Sequence, residues 1–152
     1  MNSEIEKYWT EFVKSSGIDE KSRYADCFYF GSHESSAKHL LDLVLKGIKT
    51  ATCSSVDSFI LTGIKLPEIG DYCVITDWSG EPKCIIQTVN KIELKFKEMT
   101  FDICKREGED ENLESWQNNH ISFFNAEGSQ LGYSFSWDMN IIFEDFEVVY
   151  MK

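Results

Sequence analysis

The apolar residues of this chain change period twice, and that switch limits the folds open to it. Over "SEIEKYWTEFVKSS", Ile5, Tyr8, Trp9, Phe12 and Val13 recur at helical spacing, and Gly17 follows as a C-terminal cap. "ESSAKHLLDLVLKG" sets Ala37, Leu40, Leu41, Val44 and Leu45 on one helical face and stops at Gly47. The pattern then becomes that of strands. "YCVITDWSGEPKCIIQTVNKIELKF" reads as two strands joined by a turn at Trp78 to Pro82, where Ser79-Gly80 and Glu81-Pro82 supply turn chemistry. "NLESWQNNHISFF" returns to helical spacing through Leu113, Trp116, His120, Phe123 and Phe124. The apolar, β-rich "MNIIFEDFEVVYM" closes the chain as a last strand or hairpin, and "CFYFGS" is a short strand or extended entry ending at Gly31. Strands gathered from distant parts of the chain and flanked by helices make an α+β fold, and periodicity alone leaves a small barrel and an open sheet as alternatives.

A chain of 152 residues suits one domain and can bury a core without disulfides. No repeat, low-complexity segment or linker divides it. The five cysteines, Cys27, Cys53, Cys73, Cys84 and Cys104, form no CxxC pair and are odd in number, so they read as buried reduced thiols. No apolar run approaches the roughly 20 residues of a membrane helix, so no membrane partner is expected. "MNSEIEKYW" lacks the basic and apolar regions of a signal peptide, which places the expected location in the cytoplasm. Fifteen Lys and Arg stand against 26 Asp and Glu, for a net charge of −11. Such a surface repels a phosphate backbone, which argues against long nucleic acid, duplex DNA included. A local basic cleft or a nucleoside-sized ligand remains open.

Two segments hold residues that could carry chemistry. "GIKTATCSS", residues 47–55, concentrates hydroxyls and one amine where a fold needs only a turn. A strict strand period would put Lys49 and Thr52 on opposite faces, so they share a pocket only if Lys49 lies in the turn after Gly47. A threonine hydroxyl needs a base beside it, from a desolvated lysine amine or a carboxylate; a lysine left charged would instead stabilise an oxyanion. The plainer reading makes Thr50 and Thr52 ordinary strand formers and sends Lys49 to water. The second segment is "REGEDENLESW", residues 106–116. Gly108 lets Glu107 and Glu109 lie in a turn ahead of a helix starting near Asn112, where the helix dipole favours ionised carboxylates. Glu107, Glu109, Asp110 and Glu111 together suit Mg²⁺, but no regular ligand spacing supports a metal, and none is expected. His120 and Trp116, four residues apart, share a helix face, as a proton-transfer pair or as packing.

Taken jointly, "LVLKGIKTATCS", "GDYCVI", "REGEDENLESWQNNHISFF" and "FEDFEVVY" resemble, in this order, the ASCH domain family, in particular its longer bacterial branch once catalogued as a domain of unknown function. The resemblance runs from about Phe28 to Tyr150, which makes residues 28–150 the core and residues 1–27 a helical extension of a single domain. It implies a PUA-like β-barrel of about five to six strands flanked by helices, a fold associated with RNA binding. Certain short members hydrolyse the N4-acetyl amide of acetylated cytidine. Carried over by motif, the resemblance assigns Thr52 as nucleophile, Lys49 as its activator and Glu109 as the carboxylate that moves the proton or fixes the lysine. Thr50, Glu107, Trp116 and His120 are then expected to contact substrate. A nucleoside or small RNA is the implied ligand, acted on by an amidohydrolase or ribonuclease without a tightly bound cofactor, or read by a binding module without turnover. The N-terminal helix, the "LESWQNNHISFF" helix and "GSQLGYSFSWD" depart from the short hydrolases and can narrow or cover the cleft.

Overall fold

The computed structural model describes residues 2–151. Helix α1, Ser3–Ser16, is capped by the Asn2 side chain, which accepts from the Glu4 N–H, and ends at Gly17 in the left-handed conformation. A short strand β1, Asp26–Phe28, leads to α2, Glu34–Leu45. Strand β2, Ala51–Ser55, runs directly into α3, Val56–Thr62, with the Ser55 hydroxyl accepting from the Ser58 N–H as its cap. Strands β3, Tyr72–Thr76, and β4, Pro82–Lys95, are joined by the expected turn, closed by Asp77 N–H donating to the Glu81 carbonyl at 2.9 Å. A short α4, Phe101–Cys104, precedes α5, Leu113–Leu131, and β5, Asn140–Met151, completes the sheet.

The strand order is β1-β3-β4-β5-β2, with β1 parallel to β3 and every other pair antiparallel. Strands β4 and β5 pair along almost their whole length, and two register shifts, at Ile85/Ile86 and Thr88/Asn90, interrupt that ladder. Each shift bends the strand and adds twist, so the long pair curls the sheet into a half-barrel. The fold is α+β and PUA-like, with the expected number of strands.

Alternate residues of the strands feed cores on opposite faces. Ile5, Tyr8, Trp9 and Phe12 of α1 pack on Val74 and Ile85, so the N-terminal helix covers one face. Leu41 and Val44 of α2 pack on Ile75, Ile86 and Phe146 across the other. A third cluster joins Trp116 and Phe124 of α5 to Phe96, Ile141 and Phe143. The apolar face read from α5 is therefore real, but the helix runs seven residues past Phe124, and the C-terminal run is one strand and not a hairpin. Cys53, Cys84 and Cys104 are buried as expected, whereas Cys27 and Cys73 are only half-buried; all five are free thiols. Burial pushes Cys84 and Cys104 up to about 12, which makes both inert. Among the described residues no helix is long and apolar enough to cross a membrane.

Candidate functional site

The site begins with the way α2 stops. Gly47 adopts φ 75°, and the Ile48 and Lys49 N–H groups both reach back to the Leu43 carbonyl, at 2.9 and 3.0 Å. The chain thus turns sharply, and Lys49 lies in the turn ahead of β2 while Thr52 lies within the strand. This is the geometric condition that lets them face one space. Thr50 ties the turn to a second segment: its N–H and its hydroxyl each donate to the Arg106 carbonyl at 3.1 Å. On that segment Gly108 has φ 73°, and a Cβ there would overlap the Ile48 carbonyl oxygen. Only glycine allows the two segments to come this close.

Lys49 is 2% exposed. Its ammonium donates to the Ala51 carbonyl at 2.8 Å and to Glu109 Oε2 at 2.6 Å, and lies 3.5 Å from Glu107 Oε1. Those three acceptors match the three protons of an ammonium, and the Phe30 ring lies below with its centroid 5.3 Å from Nζ. Glu107 is as deeply buried as Lys49. Its Oε2 receives the Trp116 indole N–H and faces His120 Nε2 at 3.3 Å. His120 Nδ1 lies 2.9 Å from the Trp116 carbonyl, which can only accept, so Nδ1 carries a proton. A second proton then belongs between Nε2 and Glu107, because two lone pairs cannot face each other. The imidazole also stacks on the Trp116 ring, centroids 4.2 Å apart.

Burial opposes ionisation of Glu107, but Lys49, His120 and the indole outweigh it and hold the carboxyl well below the usual carboxylate range. Burial likewise lowers His120, and the Glu107 carboxylate more than reverses this, so the imidazole sits above its ordinary value. Two cations therefore balance two carboxylates inside the protein. Of the four groups, Glu109 is the one open to the outside, with its side chain 23% exposed.

Lys49, Thr52, Glu107, Glu109 and His120 line one cavity of about 340 Å³. Ala51 and Cys53 point into the core, as their alternation with Thr52 requires. The Thr52 hydroxyl has no hydrogen bond to Lys49, Glu109 or any other described residue, so the expected three-way contact is formed only between the lysine and the carboxylates. Two of the expected residues lie outside this cavity. Thr50 does not line this cavity, because its hydroxyl is committed to the Arg106 carbonyl. Trp116 is fully buried behind Glu107, where it orients that carboxylate and touches no ligand space. The acidic turn is also committed elsewhere: Asp110 accepts from Ser115 and Asn119, each at 2.7 Å, and no metal-holding group of His, Cys, Asp and Glu occurs among the described residues. Phe30, Asn119 and Ser122 also line the cavity, and of these Asn119 and Ser122 were not foreseen. The last two follow Trp116 at helical spacing, a signal the sequence did contain.

Thr52 also lines a second cavity, of about 250 Å³, which shares no other residue with the first.

Two solved structures cover nearly the whole chain. An ASCH domain from Lactobacillus crispatus JV V101 is 31% identical over 99% of this chain and 96% of its own, with a TM-score of 0.88. A protein of Enterococcus faecalis V583, assigned to a domain family of unknown function, is 30% identical over 99% of this chain and 91% of its own, with a TM-score of 0.91. A variant ASCH protein from Zymomonas mobilis is 11% identical over 83% of this chain and 70% of its own, with a TM-score of 0.50, and shares the fold alone. No curated protein matches the chain at a significant level. The family model described as the ASCH domain matches residues 26–150, and the chain belongs to that family.

Proposed function

We propose that this protein is an amidohydrolase acting on a modified nucleoside, with an N4-acetylcytidine-type amide as substrate and Lys49, Thr52 and Glu109 as its reactive groups. One observation carries the reading: in a charge-balanced cluster of Lys49, Glu107, Glu109 and His120, Glu109 is the carboxylate open to solvent, in a cavity that Thr52 also lines. Structural ion pairs do not need such an opening, whereas an acid-base group does.

The hydrogen bonding favours a division of labour unlike the one first expected from the family. With its three protons accepted, Lys49 serves as a fixed positive charge and not as a base. Glu109 takes the Thr52 proton as the hydroxyl oxygen attacks the acyl carbon, and the Lys49 ammonium favours the negative charge that gathers on the carbonyl oxygen. As the C–N bond breaks, Glu109 returns the proton to the leaving nitrogen. Water then attacks the acyl-threonine, giving its proton to Glu109, and the hydroxyl of Thr52 is restored as the acid departs. Glu107, His120 and Trp116 hold Lys49 and touch no reacting atom.

PUA-like folds of this family are linked to RNA binding, and a binding module without turnover is the competing reading. It calls for a basic rim, yet Lys49 and Lys65 are the only Lys or Arg residues lining the two cavities, and Lys65 pairs with Glu68 at 3.2 Å. That favours a ligand of nucleoside size over a polynucleotide. Release of cytidine from N4-acetylcytidine, followed chromatographically, tests the proposal. Wild type turns over, and Thr52→Ala loses on the order of 10³-fold or more; an inactive wild type that still binds the nucleoside would leave the module reading in place.

A further inference from the structure

The second cavity has no part in the chemistry just described, although Thr52 lines both. Its floor is the sheet face that carries Cys73, Ile86 and Thr88, and its cover is α3 with the loop after it, through Phe59, Ile64 and Pro67. Helix α3 holds no buried residue of its own, so its apolar side has this space, and not a core, beneath it. The walls are mostly apolar, as in sites that enclose the body of a small ligand.

Four carboxylates, Asp26, Asp71, Glu127 and Glu144, reach the edge of this space, and none of them takes part in an ion pair among the described residues. Lys65 is the one cation in the lining, and its ammonium lies at the surface on Glu68. Lys91 stands opposite Glu144 across the β4–β5 ladder, and its ammonium donates to the Pro67 carbonyl at 3.0 Å. Glu144 also stands directly opposite Thr52 across the β2–β5 ladder. Directly opposed residues project to the same face of a sheet, so the Glu144 and Thr52 side chains are neighbours. One Glu144 oxygen accepts the Thr88 hydroxyl at 3.1 Å, and the other has no partner among the described residues.

We propose that the second cavity is a binding site for a compact apolar group bearing an amine, seated beside Thr52. The cavity and the wall it shares at Thr52 make the site; the carboxylates select what fills it. A donor-rich or cationic nitrogen is accepted there, and a phosphate or carboxylate is repelled. This preference for an amine stands apart from the hydrolase reading above, in which the leaving amine is cytidine.

Benzylamine, benzyl alcohol and benzoate share one ring and differ only in the polar head, so they probe the cavity separately from turnover. Amide chemical shifts of the protein are followed during titration with each. Benzylamine is expected to perturb Ser54, Cys73 and Thr88, to bind about tenfold or more tighter than the alcohol, and to leave benzoate without a measurable shift. Glu144→Gln weakens benzylamine by about tenfold. Ser54→Phe, which fills the cavity from a half-buried position, abolishes its binding. Equal binding of benzoate, shifts confined to other surfaces, or unchanged affinity in both variants would overturn the proposal. Amine binding without hydrolysis of N4-acetylcytidine would instead remove the hydrolase reading and leave this site standing.

Discussion

Replacing Lys49 with methionine keeps the length of the side chain and removes the charge. Glu107, only 2% exposed, would then face the indole and the imidazole alone, and the Ala51 carbonyl would lose its donor in a buried setting. Breaking a buried ion pair from one side costs about 3–5 kcal/mol, because the remaining charge is left uncompensated. For a chain of this size each kcal/mol lowers Tm by about 2–4 °C, so the variant should melt on the order of 10 °C below wild type. The deficit depends on pH. In wild type the Glu107 carboxyl is held low, so its contribution is present above the ordinary carboxylate range and disappears as pH falls through the folded value. In the variant, burial dominates and the carboxyl protonates readily, so the difference between the two proteins is largest near neutrality and shrinks in acid. A Lys49→Met/Glu107→Gln double variant, which removes both charges, should recover about 2 kcal/mol or more relative to the sum of the single changes. Urea titrations followed by tryptophan fluorescence at neutral and acidic pH measure all of this. A loss below about 1 kcal/mol for Lys49→Met, or simple additivity in the double variant, would refute the buried-cluster argument.

Gly108→Ala places a Cβ against the Ile48 carbonyl at a backbone angle suited to glycine, so it should cost about 1–3 kcal/mol and lower activity by separating Lys49 from its two carboxylates. Thermal melting and the cytidine-release assay read the two effects. Glu144 behaves in the opposite sense to Glu107. Burial raises its carboxyl to about 7, so the native state holds a proton that the unfolded chain releases at lower pH, and stability falls as pH climbs from the ordinary carboxylate range through about 7. Glu144→Gln should therefore match wild type in mild acid and exceed it above neutrality, by on the order of 2 kcal/mol after allowing for partial exposure; equal pH dependence of the two melting curves would contradict the assignment.

The front helix, α2, the β3–β4 turn and the α5 face were legible because each buries one apolar stripe, which a sequence displays directly. Helix α3 was not, since "VDSFILT" follows β2 without a break and contributes to no core, so no stripe marks it. The place of β1 beside β3, and the curl from the two register shifts in β4–β5, depend on pairing between distant segments that periodicity does not encode. At the site, the meeting of Lys49 with Glu109 was expected through the family resemblance, whereas its contact with Glu107 was not anticipated. Thr50 and Trp116 were expected at the ligand because both carry polar hydrogens, but these go to the protein, to the Arg106 carbonyl and to Glu107. The second cavity was invisible in sequence: its walls come from all five strands, one or two residues from each, and only the pleat brings them to one face.

The central claim is that Glu109 moves the proton at a centre that Lys49 holds charged. Single-turnover release of cytidine from N4-acetylcytidine, compared between wild type and Glu109→Gln at equal saturation, tests it most directly. The variant keeps the size of the side chain and one hydrogen bond to Lys49 but cannot accept the Thr52 proton. Wild type is expected to release cytidine and the variant to lose about 10²–10⁴-fold, with nucleoside binding retained. Release at the wild-type rate by Glu109→Gln, or no release by wild type, would contradict it.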